Sequence, residues 1–259
     1  MKFLKYLILI STVTILLLSS CTSRKKILYF QNNGNDSTNV FNSYEEKHLI
    51  TAGDVLYINF YSLNKPLSDV FNRQQSTTNS YSMWNSEANV YVNGFSVNDS
   101  GYVELPLIGF VKINDNTIEQ AKSLIQEKAQ EYINDVTVIV KLLNYRYTVI
   151  GEVVRPGTYT NYNDNLTIYQ ALAKAGDVTI YGNKIKTKII RETDEGKIII
   201  PFDLTSIDVL SSDVYYIKPN DIIYIEPVRN KSFKQNLPNI ALLFSSISTT
   251  ILVLSFLEK

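Results

Sequence analysis

The residue best suited to covalent chemistry is Cys21, the only cysteine among 259 residues. Its thiol follows two small residues, Ser19 and Ser20, and an apolar run over residues 6–18 that has a positively charged start. A charged start, an apolar core of this length and small residues before a cleavage point are typical of a secretory signal. A transmembrane anchor is the alternative, but the apolar run is short for a bilayer crossing. We therefore predict that residues 1–20 are a signal peptide.

The sequence Leu18-Ser19-Ser20-Cys21 resembles the signal of bacterial lipoproteins. In such signals the small residues let the peptidase reach the bond, and the thiol is the nucleophile that takes up the lipid. The resemblance implies lipidation of Cys21, which rules out a disulfide. Because each buried methylene contributes about 0.8 kcal/mol, several acyl chains would hold the protein on a membrane. Thr22 rather than Asp follows the cysteine, which favours the outer membrane, with residues 21–43 as a lipid-anchored tether.

A hydrolytic site is the alternative chemistry for the polar residues. A Ser-His-Asp arrangement would have to use His48, the only histidine, which precedes a predicted strand and is better explained by a surface or capping role. Asp99, Glu104 and Glu152 could be imagined as a glycosidase pair, but they fall at turns and on strands without a companion motif. The sequence has no metal-ligand spacing and no phosphate-binding loop. We predict no metal, no cofactor and no enzymatic activity.

The composition excludes one class of partner. Lys and Arg number 25 and Asp and Glu number 25, so there is no net positive charge to bind nucleic acid. The length allows one large domain or two small ones with accessory segments. The 18 tyrosines and 10 glycines suit a β-containing globular protein with polar and aromatic surfaces.

Two pairs of similar sequence segments indicate two small modules built from similar parts. LITAGDVLYI, at residues 49–58, has the layout of IKPNDIIYI, at residues 217–225. In each, a turn pair that contains an Asp (Gly53-Asp54 and Asn220-Asp221) leads into apolar and aromatic residues. NDNTIEQA, which starts at residue 114, is echoed by NDNLTIYQA, which starts at residue 163.

The first module is predicted over residues 44–143. It begins with the strand of LITAGDVLYI and continues through a polar loop or insertion at 64–90. We expect Trp84 to cover a small cluster within this loop, and an anchor for a partner is the alternative. Residues 90–99 and 102–113 read as hairpin-forming strands around a turn at Gly101, and residues 135–143 alternate as a further strand. Thr117 and Gln120 match a capping box. The helix that follows has one apolar face: Ile118, Ala121, Ile125, Ala129 and Tyr132.

The second module is predicted over residues 144–228. Residues 147–153 form a strand, and Arg155-Pro156-Gly157 turns into another. Thr167 and Gln170 match a second capping box, and Gly176 fits the end of the helix. Residues 186–192 and 197–202 form a hairpin, and IKPNDIIYIEP closes the module. Strands packed on one helix make a small α+β unit.

Residues 229–259 are predicted as a C-terminal membrane segment. Residues 239–257 carry no charge, and as a helix they would span about 28 Å, with Pro238 at the helix start. An apolar stripe is predicted to face lipid: Ile240, Leu243, Ile247, Ile251 and Leu254. Other residues are predicted to face a lumen or neighbouring subunits: Ser245, Thr249 and Phe256. The alternative is a plain anchor whose hydroxyl groups bond to their own helix.

The middle of the chain resembles two known domains. LITAGDVLYINF, VNDSGYVELPLIGFVKI and TVIVKLL resemble the periplasmic polysaccharide export domain. YTVIGEVVRPGTYT, LTIYQALAKAGDV and IKPNDIIYIEP resemble a soluble-ligand-binding β-grasp (SLBB) domain. The resemblance predicts an α+β protein with these two modules followed by a C-terminal transmembrane helix. The motif positions that carry it lie at turns: Gly53, Asp54, Gly101, Pro106, Gly109, Gly151, Pro156 and Gly157.

With the lipoprotein signal, this order of parts resembles outer-membrane polysaccharide export lipoproteins. The resemblance implies a homo-oligomeric ring, with an octamer as one expectation, that exports capsular polysaccharide or exopolysaccharide. It also implies docking on an inner-membrane co-polymerase coupled to a tyrosine kinase, with the bulk of the protein in the periplasm. Two departures stand out: Asn114-Asp115-Asn116 replaces a usual glycine before the first helix, and one β-grasp module is present. The alternative is a monomeric periplasmic ligand- or sugar-binding lipoprotein with a C-terminal membrane anchor.

Overall fold

The computed structural model describes residues 27–31, 40–41, 47–72, 93–193, 195–229 and 231–257. The signal peptide, Cys21, most of the tether and residues 73–90 of the predicted loop, with Trp84, lie outside these residues. Within them, buried apolar side chains form two hydrophobic cores, one built between Ile50 and Val140 and one between Tyr145 and Ile225. Leu142 packs against both cores, so the cores meet where one leads into the other.

The first core is built on a three-stranded antiparallel sheet. Strand β1 (Val55–Ser62) lies between β2 (Phe95–Ser96) and β5 (Val136–Leu142). Alternate residues of β1 and β5 are buried, as expected for strands with one face on a core. The alternation predicted for residues 135–143 is thereby confirmed.

A separate hairpin and a helix complete the first core. Strands β3 (Tyr102–Leu105) and β4 (Gly109–Lys112) pair with each other. The predicted pairing across the Gly101 turn is confirmed at Val97, which bridges to Val103, whereas β2 pairs with β1. The short turn between β3 and β4 makes these two strands pair with each other, whereas β2 is positioned by its pairing with β1.

Helix α2 (Ile118–Gln130), which follows helix α1 (Lys65–Phe71) in the chain, has the predicted capping box, with Thr117 and Gln120 each bonding the other's backbone. Ala121, Ile125 and Ala129 are buried, as predicted. Tyr132 was assigned to the same face, but it lies beyond the helix end and is 51% exposed. Ile133 is buried instead, because the turn after the helix rotates the next side chain inward.

The polar segment after β1 contains a helix that the sequence did not predict. Helix α1 (Lys65–Phe71) begins with a proline in its first turn, where the missing N–H costs nothing. Its end is held by burial of Phe71 against Phe60, with ring centroids 5.6 Å apart. Asn72 then donates to and accepts from the Phe60 backbone, at 2.9 and 2.8 Å. Tertiary packing, not local pattern, makes this helix.

The second core lies under a five-stranded mixed sheet. Its strands are β6 (Arg146–Gly151), β7 (Gly157–Thr160), β8 (Gly182–Thr193), β9 (Gly196–Phe202) and β10 (Ile222–Pro227). They lie in the order β7-β6-β10-β8-β9. The central strand β10 is parallel to β6 and antiparallel to β8. The predicted hairpin is confirmed as β8 and β9.

Helix α3 (Ile168–Lys174) packs on this sheet, and a short 3-10 helix (Ile207–Ser211) precedes β10. The second capping box, Thr167 with Gln170, is present as predicted. Gly176 ends the helix with φ of +81°, and a Cβ at this position would meet the Val154 Cβ at 2.9 Å. The helix therefore stops where the sequence predicted, and glycine is required there for two reasons.

The C-terminal helix α4 (Lys231–Leu257) begins eight residues before the predicted start at residue 239. Pro238 therefore lies inside the helix, where it removes one backbone hydrogen bond, and not at its beginning. Among the described residues, no helix is both long and apolar enough to cross a membrane. The prediction of a transmembrane helix is therefore unsupported.

Four hydroxyl groups of α4 bond to their own helix. Ser246, Ser248, Thr249 and Thr250 donate to carbonyls three or four residues earlier, at 2.8 to 2.9 Å. Such bonds satisfy a hydroxyl group without a neighbour. They match the plainer of the two predicted interpretations of these residues.

Candidate functional site

The turn before β1 is built around Asp54, which is buried. Its carboxylate accepts the Thr51 N–H at 2.9 Å, and its Oδ2 lies 2.9 Å from His48 Nε2. Gly53 adopts φ of +87°, which a glycine allows at little cost. His48 therefore holds a turn, in agreement with the capping role that the sequence predicted.

The turn before β10 repeats this arrangement around Asp221. The Asp221 carboxylate accepts the Lys218 N–H at 2.7 Å, and Asn220 adopts φ of +66° in the place of Gly53. Arg191 donates to both carboxylate oxygens, at 2.9 and 2.7 Å. Both side chains are buried, and Arg191 also donates to the Tyr216 carbonyl at 3.1 Å. A bidentate, charge-assisted pair thus fixes the second copy of the turn.

The other motif positions are also turn residues. Gly101 and Gly109 have φ of +81° and +80°, and Pro106 lies between β3 and β4 with Gly109 at the start of β4. Gly151 ends β6 with φ of +94°, and a Cβ there would lie 2.1 Å from the Ile225 carbonyl oxygen. Pro156 and Gly157 lead into β7. These residues serve the fold rather than a reaction.

A cleft of about 730 Å³ lies between the two modules. Its walls bring together the two segments that echo each other in sequence: Thr117, Ile118 and Glu119 come from the first, and residues 163–165 from the second. Strand β5 supplies Ile139 and Lys141 between them. This volume is in the range of small-molecule sites, which is about 300 to 1,000 Å³.

The loop on one wall of the cleft is held rigidly by Asn161. This side chain is buried, donates to the Asn163 carbonyl at 2.6 Å and accepts the Asn163 N–H at 3.3 Å. The Asn161 N–H donates to the Tyr145 carbonyl at 2.8 Å. Tyr162 lies between these two asparagines and is 64% exposed. The loop thus presents an aromatic ring to the cleft from a fixed backbone.

Two ion pairs flank the cleft. Lys47 lies 3.3 Å from Glu119, and Lys141 lies 3.6 Å from Asp164 across the junction of the modules. A third lysine of the lining, Lys122, has no carboxylate partner within the described part of the chain. Three lysines therefore face two carboxylates, which leaves a surplus of positive charge.

Part of the predicted tether is bound to the second module. Gln31 donates its N–H to the Thr205 carbonyl at 2.7 Å and accepts the Ile207 N–H at 3.2 Å. The Tyr29 hydroxyl donates to Asp177, and the Lys184 ammonium lies 3.6 Å from the centre of the Tyr29 ring. Residues 27–31 of the predicted tether are therefore docked on the second module.

The residues considered for catalysis belong to different modules and make different contacts. Asp99 and Glu104 are exposed on the first module. Glu152 belongs to the second module, lies 2.5 Å from Lys231 and accepts the Thr179 hydroxyl at 3.0 Å. The hydrogen bond from Lys231 lowers the pKa of Glu152, which is opposite to what a general acid needs. Among the described residues, no cluster of His, Cys, Asp and Glu could hold a metal ion.

The predicted faces of α4 are all exposed where they are described. The exposed apolar side chains include Leu243, Ile247, Ile251, Leu254 and Phe256. Ser245 and Thr249 are also exposed, and the side chain of Ile240 lies outside the described residues. Because no residue in the described part of the chain covers either face, their assignment to lipid and to neighbouring subunits stays a prediction.

Residues 42–143, which contain the first core, match the family model described as polysaccharide biosynthesis/export protein. This part of the chain is therefore similar to the polysaccharide export family. The match ends at Leu143, just before the second core starts at Tyr145.

Two curated proteins are similar to a larger part of the chain. Both are named EPS I polysaccharide export outer membrane protein EpsA. The one from Ralstonia solanacearum is 23% identical over 156 residues, which is 56% of this chain and 41% of the relative. The one from Ralstonia nicotianae is 26% identical over 114 residues, which is 42% of this chain and 30% of the relative. The chain thus spans less than half the length of these relatives.

Proposed function

We propose that this chain is a subunit of a ring-shaped translocon that exports capsular polysaccharide or exopolysaccharide through the outer membrane. The observation that carries the proposal is the match of residues 42–143 to the export family. The names of the two Ralstonia relatives support the same function and the same membrane.

The second module is proposed to be an SLBB β-grasp domain that stacks with the export domain as a layer of the ring. Its mixed sheet, with β6 and β10 parallel at the centre and α3 packed on the core, supports this assignment. The repeated turn then enters the export domain at Asp54 and leads into the last strand of the second module at Asp221.

The anchor is proposed to be a lipid on Cys21, with the bulk of the protein in the periplasm. Residues 27–31 are bound to the second module through Gln31 and Tyr29. Only five residues separate Cys21 from residue 27, and at about 3.5 Å per residue they reach roughly 20 Å. An acyl chain on Cys21 would therefore hold the second module near the membrane surface.

Partners follow from the same proposal. They are further copies of this chain, the exported polysaccharide, and an inner-membrane co-polymerase with its tyrosine kinase. Helix α4 is proposed as the element through which the copies form the outer part of the ring. Its contact with the second module, through Lys231 and Glu152, supports a defined position at its start.

Deletion of residues 236–259 tests the function. The truncated chain keeps Lys231 and both cores, so we expect a folded lipoprotein in the membrane fraction. We expect surface polysaccharide to be lost when this chain is the only copy in the cell. A full-length chain with Lys128→Gln, an exposed change on α2, is the matched control. Normal surface polysaccharide with the truncated chain would contradict the role of α4.

The alternative is a monomeric ligand-binding lipoprotein, and the cleft between the modules is the observation in its favour. Native mass in detergent separates the two functions. A ring gives a multiple of the mass of the lipidated chain that starts at Cys21, whereas the alternative gives the mass of a single such chain.

A further inference from the structure

We propose that the cleft between the two modules binds an acidic segment of the exported polysaccharide. This inference rests on the proposed function, and it adds a binding site and the charge of its ligand. The argument uses the shape, the aromatic groups and the charges of the cleft.

The cleft offers a surface of mixed character. Tyr57, Tyr162 and Ile139 contribute apolar area, and Tyr162 and Ile139 are 64% and 37% exposed. A pyranose ring has an apolar face of C–H groups and a rim of hydroxyl groups. An aromatic ring with a polar tip can pack against the first and bond to the second. A purely ionic or a purely apolar ligand would contact only part of this mixed surface favourably.

Amide groups lie beside these rings. The loop at residues 161–165 has three asparagines, and the buried Asn161 holds the backbone from which Asn163 and Asn165 extend. A side-chain amide both donates and accepts, as a sugar hydroxyl does. Because the backbone is already fixed, little conformational entropy is lost when a saccharide binds to the loop.

The charges specify an acidic sugar. Lys47 and Lys141 already have Glu119 and Asp164 as partners. Lys122 belongs to the lining and, among the described residues, has no carboxylate within ion-pair distance. A uronate carboxylate in the cleft would give Lys122 a charged partner, as a neutral sugar would not.

Direct binding to the full-length chain in detergent tests the inference. The probes are tri-galacturonate, which is acidic, and maltotriose, which is neutral, measured by isothermal titration calorimetry. We expect tri-galacturonate to bind at least fivefold more tightly than maltotriose. Lys122→Gln should remove this difference, and Tyr162→Ala should weaken both probes at least fivefold. Absence of binding, or equal binding of both probes, would overturn the inference.

Matched variants keep the result specific. Lys128→Gln removes a lysine from the same helix outside the cleft, and Tyr61→Ala removes an exposed tyrosine of β1 outside it. Both should bind the probes as the unaltered chain does. If they weaken binding as much as the cleft variants, the cleft is not the site.

The outcome is separable from that of the proposed function. If the cleft variants bind the probes normally while deletion of residues 236–259 stops export, the inference fails and the function stands. Ile139→Cys, in a chain where Cys21 is acylated, would test whether a second copy of the chain occupies the cleft instead. Efficient cross-linking of this cysteine between two copies would assign the cleft to subunit contact and overturn the saccharide site.

Discussion

Asp54 and Asp221 occupy the same position in two copies of one turn, and each accepts the backbone N–H of the residue three positions earlier, at 2.9 and 2.7 Å. The copies differ in the side chain that meets the carboxylate. Asp54 meets His48, which is partly exposed, whereas Asp221 meets Arg191, which is buried with it. The same local turn is therefore held by a partly exposed histidine in the first module and by a buried arginine in the second module.

This difference predicts unequal losses when the two carboxylates are replaced. Asp221→Asn leaves the buried Arg191 without a counter-charge, so we expect a loss of about 3 to 5 kcal/mol in the free energy of unfolding. Asp54→Asn keeps an oxygen for the Thr51 N–H, so we expect a loss of about 1 kcal/mol. Denaturant unfolding followed by circular dichroism measures both. Equal losses would contradict the distinct role of Arg191.

Two motif glycines should differ in their tolerance of a side chain. Gly53→Ala meets open space, so its cost is backbone strain of about 1 to 2 kcal/mol. Gly151→Ala has the same type of strain and also places a Cβ against the Ile225 carbonyl, which must move away from β6. We expect a loss of about 3 kcal/mol or more for Gly151→Ala. Unfolding curves of the two variants measure both losses. A loss for Gly151→Ala no larger than that for Gly53→Ala would contradict the close approach of the strands.

A pair of tyrosines in the second core should respond differently to loss of the hydroxyl group. The Tyr145 hydroxyl donates to the Ile217 carbonyl, whereas the buried Tyr147 hydroxyl has no partner in the described structure. Burial raises the pKa of Tyr147 to about 12. We expect Tyr145→Phe to cost about 1 kcal/mol and Tyr147→Phe to be neutral or stabilising. A loss at Tyr147 equal to that at Tyr145 would reveal a hydrogen bond to that hydroxyl.

The base of α4 should release its ion pair in acid. The hydrogen bond from Lys231 lowers the pKa of Glu152 below its ordinary value of 4.5. A lowered pKa in the folded state stabilises the protein above pH 4.5, and this contribution is lost as the pH falls through the folded value. The difference in unfolding free energy between the unaltered chain and Glu152→Gln should be constant near neutral pH and vanish in acid. A difference that grows in acid would contradict the pairing.

Lipidation should require the sulfur atom of Cys21. Cys21→Ser removes the thiol that accepts the lipid, so the variant should take up no radiolabelled palmitate and should keep its signal peptide. Ser19→Ala preserves a small side chain at that position and should be labelled normally. Label in Cys21→Ser would place the lipid elsewhere.

Local patterns in the sequence were sufficient for the elements whose forces act over a few residues. The two capping boxes, at Thr117 with Gln120 and at Thr167 with Gln170, each need only four consecutive residues. The stop at Gly176 and the hairpin of β8 and β9 are equally local, and so is the repeated turn. Short-range hydrogen bonds and the alternation of buried side chains determine such features, so the sequence shows them directly.

Only the tertiary structure decided the features that join distant residues. Arg191 meets Asp221 across 30 positions, and residues 27–31 dock on a module that begins more than 100 residues later. Helix α1 forms in a polar segment because Phe71 can be buried against Phe60, and Leu142 packs against both cores beside the cleft. The start of α4 at Lys231 depends likewise on Glu152, 79 positions away. Contacts of this kind leave no periodic pattern in the sequence, because their free energy comes from surfaces that the folded chain alone brings together.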